Sequence, residues 1–186
     1  LFMQIFNSYT SSNYKKRDLI DSYYEKIIKV SRQKHFYNKL MVPDTIDGRF
    51  DLLILFSIIF TFFLIRTGEK GKELSQILFD KIFLDLDLSL REMGAGDTGV
   101  HVKIKKMINS YMGRQKFYMQ CLEKEDFTTL KFHITKNVYR NVDDYDYSPL
   151  LLTNYCQLCF KILDKIPENS LLTNQFLFPE YKQAIN

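Results

Sequence analysis

Apolar residues recur at intervals of three and four positions along most of the chain, and this period predicts α-helices. Only 7 Gly and 4 Pro are present, which is few for a protein built of strands and tight turns. We therefore expect an all-α, single-domain bundle of about six to eight helices. The predicted elements are helices over 17–30, 46–66, 72–93, 100–122, 126–140 and 149–165, a short helix around Phe36, and a tail over 167–186 that forms a short helix and a strap.

The most apolar stretch of the chain is LLILFSIIFTFFLI, residues 52–65, which lies between Asp51 and Arg66 and carries no charge. As a helix it covers about 21 Å, whereas the hydrocarbon core of a membrane is about 30 Å thick. We expect the helix over 46–66 to be buried on all sides at the centre of the bundle. The alternative is a segment that touches lipid or an apolar partner.

The hexapeptide GAGDTG, residues 94–99, matches the G-x-G-x-x-G pattern of dinucleotide-binding turns and follows the alternating stretch LDLDLSL. Such a turn requires a strand directly before its first glycine, and it would make the chain an oxidoreductase. However, the apolar residues continue on one helical arc through and beyond LDLDLSL, so this stretch is interpreted as helix. We expect Gly94 to end that helix in a left-handed conformation and Gly96 to make a sharp turn. Asp97 or Thr98 would then cap the next helix.

The remaining motifs give no indication of catalysis. Cys156 and Cys159 have C-x-x-C spacing but lie within an apolar helical pattern, so we expect buried structural cysteines. The three His are dispersed, and the sequence contains no phosphate-binding loop and no recognisable pair of catalytic carboxylates. We therefore expect a non-enzyme with no catalytic residue, no metal site and no cofactor. The net charge of +4 is low for a nucleic-acid binder, so no DNA partner is expected.

An unusual charge cluster, DGRFD at residues 47–51, opens the most apolar helix. In a structural interpretation, the acids favour the positive end of the helix dipole, and Arg49 pairs with an acid of a neighbouring helix such as Asp85 or Asp87. In a functional interpretation, the cluster is a polar recognition site beside an apolar surface.

Two further features have both a structural and a functional interpretation. Leu84 and Leu88 point away from the apolar arc of their helix, so they are either covered by another part of the fold or exposed to a partner. In the next helix, basic residues form an outer arc that is either a solvated face or an electrostatic docking face. These basic residues are Lys103, Lys105, Lys106, Arg114 and Lys116. With the charge cluster included, the candidate partner-binding residues are Asp47, Arg49, Asp51, Leu84, Asp85, Leu88, Arg91, Lys103 and Lys106.

The beginning of the chain differs in charge from the rest. Residues 1–17 contain no acid and end in Lys15, Lys16 and Arg17. They form either a terminal helix that lies on the body or an interfacial anchor whose basic end faces anionic lipid. We therefore divide the chain into an N-terminal helical segment, 1–30, as the candidate for contact with a membrane or a partner, and a helical domain over 31–186.

The blocks VPDTIDGRFD (42–51) and LREMGAGD (90–97) resemble those of a known family, the ubiquinol-cytochrome c chaperones, and the resemblance extends over residues 30 to 180. The second block is part of a longer match, LFDKIFLDLDLSLREMGAGDTGV (78–100). The resemblance is carried further by RQKHFYNKL (32–40), KIKKM (103–107), YMGR (111–114), NVYRN (137–141) and FPE (178–180). The residues that match the charged positions of the family's blocks are Asp44, Asp47, Arg49, Asp51, Asp85, Arg91 and Asp97. Leu88 departs from the family pattern, which has a polar or basic residue there.

The resemblance implies an assembly factor for respiratory complex III that holds newly synthesised cytochrome b. It also implies a small co-chaperone, the ribosome and the inner-membrane surface as further partners. The expected location is the bacterial cytoplasm at the inner face of the inner membrane, or the mitochondrial matrix side if the N-terminus was trimmed. The alternative function is a peripheral membrane- or ribosome-associated helical interaction module without its own client.

Overall fold

The computed structural model describes residues 14–94, 96–140 and 147–181, and this part of the chain contains eight α-helices and no strand. The all-α fold class and the expected number of helices are confirmed. In chain order the helices are α1 (Tyr14–Ser31), α2 (Lys34–Asn38), α3 (Ile46–Arg66), α4 (Glu69–Glu92), α5 (Asp97–Glu123), α6 (Phe127–Asn137), α7 (Ser148–Asp164) and α8 (Glu168–Leu172).

Helix α3 is the centre of the bundle and contacts α1, α4, α5, α7 and α8. Every residue from Phe50 to Leu64 is buried, as expected for a helix with apolar side chains on all its faces. By length and composition α3 could cross a membrane, but 89% of its most apolar window is buried inside the fold. The prediction of a buried central helix over 46–66 is thus confirmed.

The start of α3 is fixed by a cap and by a close backbone contact. The Thr45 side chain caps the helix by accepting a hydrogen bond of 3.1 Å from the backbone N–H of Gly48. The preceding loop passes so near that a Cβ on Gly48 would lie 1.9 Å from the carbonyl oxygen of Pro43. Only glycine therefore allows the loop to pack directly on the first turn of α3.

The GAGDTG hexapeptide joins two helices. Gly94 follows the end of α4 with a φ of +84°, the left-handed conformation expected of it. Gly96 is extended and caps α5, whose Asp97 is already helical, so the prediction of Asp97 or Thr98 as the cap was wrong. Ala95 lies outside the described residues. The element before the glycines is helix rather than the strand that a dinucleotide-binding turn requires.

The end of the described chain is a strap, residues 173–181, that lies across α1, α3 and α7. The Phe176 ring stacks on Phe60 with centroids 4.5 Å apart, and the Tyr155 hydroxyl donates a hydrogen bond of 2.5 Å to the carbonyl of Pro179. Lys26 donates to the carbonyl of Phe176 at 2.6 Å. The predicted short helix and strap are confirmed as far as Tyr181.

The cysteines are buried in the helical core, as predicted for Cys156 and Cys159. Burial raises the pKa of both thiols, so neither is activated as a thiolate. Cys121 is also buried as a free thiol.

The N-terminal segment is described only from Tyr14 onwards. In α1, Ile20, Tyr23 and Ile27 are fully buried in the same core as α3, so this helix is packed into the body. The helix expected over 1–17 lies largely outside the described residues. Its contact with a membrane or a partner stays a prediction.

The close approach at Gly48 predicts a large effect for a small substitution. G48A should lower the free energy of unfolding by about 2 to 3 kcal/mol, because the new methyl group must displace the backbone of Pro43. The matched control is G113A in α5, where a Cβ meets no atom within 4 Å. That substitution should raise stability by about 0.5 to 1 kcal/mol, because alanine favours helix. Urea denaturation monitored by circular dichroism measures the stability of both variants. Similar effects of the two substitutions would contradict the close contact between Gly48 and Pro43.

Candidate functional site

A groove of about 630 Å³ lies between the first turns of α3 and the exposed side of α5. We call it the α3–α5 groove. Its charged lining consists of Asp47 and Asp51 from α3, Lys103, Lys106 and Arg114 from α5, and Arg140 from the segment after α6. Among the described residues of the lining, four cationic side chains thus outnumber two acidic ones.

The floor of the groove is a buried ion-pair cluster centred on Asp51, whose surface is only 1% exposed. Arg114 donates a hydrogen bond to Oδ1 of Asp51, and Nη2 of Arg140 donates to Oδ2 at 2.8 Å. Burial raises the pKa of Asp51, and the charges of the two guanidinium groups lower it. One carboxylate thus joins α3, α5 and the segment that leaves α6.

The backbone at Arg140 is held in an uncommon conformation. Its φ is +59°, in the left-handed region that costs a non-glycine residue about 1 kcal/mol. The preceding Tyr139 is fully buried, and its hydroxyl donates a hydrogen bond of 2.9 Å to the carbonyl of Leu40. This anchor and the ion pair with Asp51 together place the Arg140 guanidinium in the groove, where its side chain is 48% exposed.

The rim of the groove carries charges of both signs. Asp47 is exposed on α3, Lys106 is exposed on α5, and Lys103 is half-buried. Within the described parts of the chain, neither lysine forms an ion pair. Between these charges lies an apolar wall, in which Phe50 and Met107 are buried and Val102 is exposed. The groove can therefore hold an apolar group beside a negative charge.

The structure brings together four of the candidate partner-binding residues, Asp47, Asp51, Lys103 and Lys106. Asp47 and Asp51 are one helical turn apart on α3, and the two lysines are three residues apart on α5. This spacing puts each pair on one face of its helix.

Arg49 lies elsewhere, and the expectation that it pairs with Asp85 or Asp87 was wrong. Its Nε donates a hydrogen bond of 2.6 Å to Asp44 in the preceding loop, and both side chains are exposed. Residues two apart on a helix do not face the same side, so Arg49 points away from Asp47 and Asp51. Asp85 instead accepts a hydrogen bond of 2.6 Å from the Tyr24 hydroxyl.

The candidates on α4 do not line the groove. Leu84 is partly buried and packs against the core, whereas Leu88 is 51% exposed. The two leucines therefore do not form one free surface. Arg91 forms ion pairs with Asp87 at 2.7 Å and with Asp97 at the start of α5, so it braces the corner between the helices.

Two cations of the groove were not among the candidates from the sequence. Arg114 was placed on the outer arc of α5, but its side chain is only 12% exposed. A signal for this position exists, because Arg114 lies three residues after the buried Tyr111 and seven after Met107, on the core side of the helix. Arg140 has no comparable local signal, since its position depends on how the chain leaves α6.

Comparison with known proteins agrees with the resemblance seen in the sequence. Residues 38–178 match the family described as ubiquinol-cytochrome C chaperone. The chain belongs to this family. The matched region contains the whole lining of the α3–α5 groove, from Asp47 to Arg140, so the groove is part of the family domain.

A solved structure supports the same conclusion. The fold is similar to that of the Cbp3 homolog from Brucella abortus, known from a crystal structure, with a TM-score of 0.79 and 28% sequence identity. The match covers 98% of this chain and 99% of the Brucella chain. A search of curated proteins gave no significant match. The similarity of the two folds over nearly their whole length thus supports the family assignment.

The ion pairs of Asp51 predict that its carboxylate is essential for stability. D51N should lower the free energy of unfolding by about 3 kcal/mol, because it leaves the largely buried Arg114 without a counter-charge. The matched control is D47N on the exposed rim, which should change stability by less than about 0.5 kcal/mol. Urea denaturation measures both variants. Equal stability of D51N and the unsubstituted protein would contradict the role given to this ion-pair cluster.

Proposed function

We propose that this chain binds newly synthesised cytochrome b through the α3–α5 groove and supports biogenesis of the ubiquinol-cytochrome c reductase complex. The observation that carries the proposal is membership of the ubiquinol-cytochrome c chaperone family over a region that contains the entire groove. The family supports a role in assembly of complex III. The identity of the client and its place on the surface are our proposals.

A chaperone for a membrane protein needs exposed apolar surface, since its client has apolar helices that must be kept from aggregating. Val102 provides such a surface in the groove. Further along the same side of α5, Phe117 is exposed, and its ring stacks on His133 of α6 with centroids 5.1 Å apart. The exposed Phe132 also contacts the His133 ring, at 5.5 Å. Phe117 and Phe132 thus form one exposed aromatic patch around His133, and contiguous apolar patches rimmed by polar residues mark protein-interaction sites.

The proposed activity is binding and requires no catalysis. The sequence contains no nucleotide-binding loop, so we propose that the client is held and released by binding equilibria alone. The client would leave when its assembly partners bind it more tightly. We further propose that the chain acts at the inner face of the inner membrane, with a small co-chaperone and the ribosome as additional partners.

Charge reversal in the groove tests the proposed function. In cells that carry the gene, deletion should lower the amount of assembled complex III and leave the cytochrome b transcript unchanged. Complementation with K103E/K106E should fail to restore the complex, because two glutamates would repel the negatively charged client groups that the two lysines attract. The matched control is K105E/K161E, which changes two exposed lysines, on α5 and α7, that do not line the groove. Native gels and haem spectra measure the complex.

Copurification of newly labelled cytochrome b with the tagged protein identifies the client directly, and K103E/K106E should reduce the amount recovered. Normal complex III in the deletion strain would refute the assembly role. Sedimentation with ribosomes or liposomes in the absence of cytochrome b would instead favour an interaction module without its own client.

A further inference from the structure

The cations of the α3–α5 groove differ in how completely they are paired with acidic groups of the protein. Arg114 is largely buried and directed at Asp51. Arg140 also contacts Asp51, but it is half exposed, and a guanidinium has five N–H donors, so further donors remain for a ligand. Lys103 and Lys106 form no ion pair within the described parts of the chain. Counting only the residues that the structure describes, three cationic groups are therefore available around one apolar wall.

The acidic residue on the rim restricts which anion fits. Asp47 is exposed in the same groove as Lys103 and Lys106. A membrane surface or a nucleic-acid backbone presents many negative charges close together, and some of these would lie against Asp47. A peptide can place a single carboxylate among the cations and an uncharged or basic residue beside Asp47. The mixed charge of the rim thus favours a protein segment over lipid or nucleic acid.

The apolar wall adds a second requirement. Val102 is the exposed residue of this wall, and Phe50 and Met107 are its buried residues. An apolar side chain of the ligand could cover Val102 while a neighbouring carboxylate reaches Lys103 or Lys106. Partial removal of water around this contact would strengthen the charge interaction.

We infer that the α3–α5 groove recognises a client segment in which a single Asp or Glu lies next to an apolar residue. The inference rests on the proposed function for the identity of the occupant, a newly made membrane protein. It goes further by giving the chemistry that selects the segment. Loops on the cytoplasmic side of membrane proteins are enriched in Lys and Arg. A groove with this requirement would therefore accept few segments of such a client and reject most of them.

A set of matched synthetic peptides tests the inference with the full-length protein. Each is a short, fluorescently labelled, mainly apolar peptide that carries Glu, Gln or Lys at one central position. The Glu peptide should bind about fivefold more tightly than the Gln peptide, the effect expected of one partly exposed ion pair. The Lys peptide should bind most weakly. Fluorescence anisotropy measures the Kd of each peptide, and added salt should reduce the difference.

Two double variants assign this preference to the groove. K103Q/K106Q should bind the Glu and Gln peptides equally, whereas K105Q/K116Q, which removes the same charge outside the groove, should keep the fivefold preference. Circular dichroism checks that both variants remain folded. The inference is overturned if the unsubstituted protein binds the two peptides equally or does not bind the Glu peptide. It is also overturned if K105Q/K116Q loses the preference to the same extent as K103Q/K106Q.

Two further measurements separate the inference from its rivals and from the proposed function. Binding to anionic vesicles that requires Lys103 and Lys106, without discrimination between the peptides, would assign the groove to lipid and overturn the inference. Failure of K103Q/K106Q cells to assemble complex III, together with equal binding of the Glu and Gln peptides by the unsubstituted protein, would retain the proposed function and refute the inference. Normal assembly of complex III in cells without the gene, together with a clear Glu preference of the unsubstituted protein, would refute the proposed function and retain the inference.

Discussion

The buried carboxylate of Asp51 is the interaction on which the rest of the site depends. It lies on the central helix, where almost every neighbouring side chain is apolar, and an isolated charge there would be very unfavourable. Arg114 and Arg140 supply the counter-charges from two other parts of the chain. The position of α5 against α3, and the path of the chain after α6, are thereby coupled to one residue. A site that depends on folding in this way exists only when the whole domain is assembled.

This arrangement gives the groove a fixed floor and an adaptable rim. The floor is held by hydrogen bonds and by the buried Tyr139, which leaves the Arg140 guanidinium little freedom. Lys103 and Lys106 have long flexible side chains and can adjust to ligands of different shape. Rigid groups reduce the entropy lost on binding, whereas flexible ones broaden the range of ligands. The combination suits a chaperone that must bind firmly and still release its client.

Much of the architecture could be predicted from the sequence because it follows from local periodicity. The run over 52–65 is apolar on every face, which predicted a buried central helix. The helical arc through LDLDLSL predicted that GAGDTG connects two helices. Four of the six charged residues described in the groove could also be predicted, since Asp47 with Asp51 and Lys103 with Lys106 share helix faces. What the sequence could not show is which helix faces meet. The partner of Arg49 and the position of Arg140 both depend on loop paths that have no periodic signal.

The central helix also has a consequence for the biosynthesis of the protein. Three of its main neighbours, α4, α5 and α7, follow it in the chain, so α3 emerges from the ribosome before the elements that cover it. During that interval the growing polypeptide presents an uncharged apolar segment to the same machinery that inserts membrane proteins. The uncharged run between Asp51 and Arg66 is short for a bilayer, but the whole helix Ile46–Arg66 is long and apolar enough by composition to cross one. Packing of α4, α5 and α7 onto α3 as they are synthesised is therefore what withdraws this segment from insertion into a membrane.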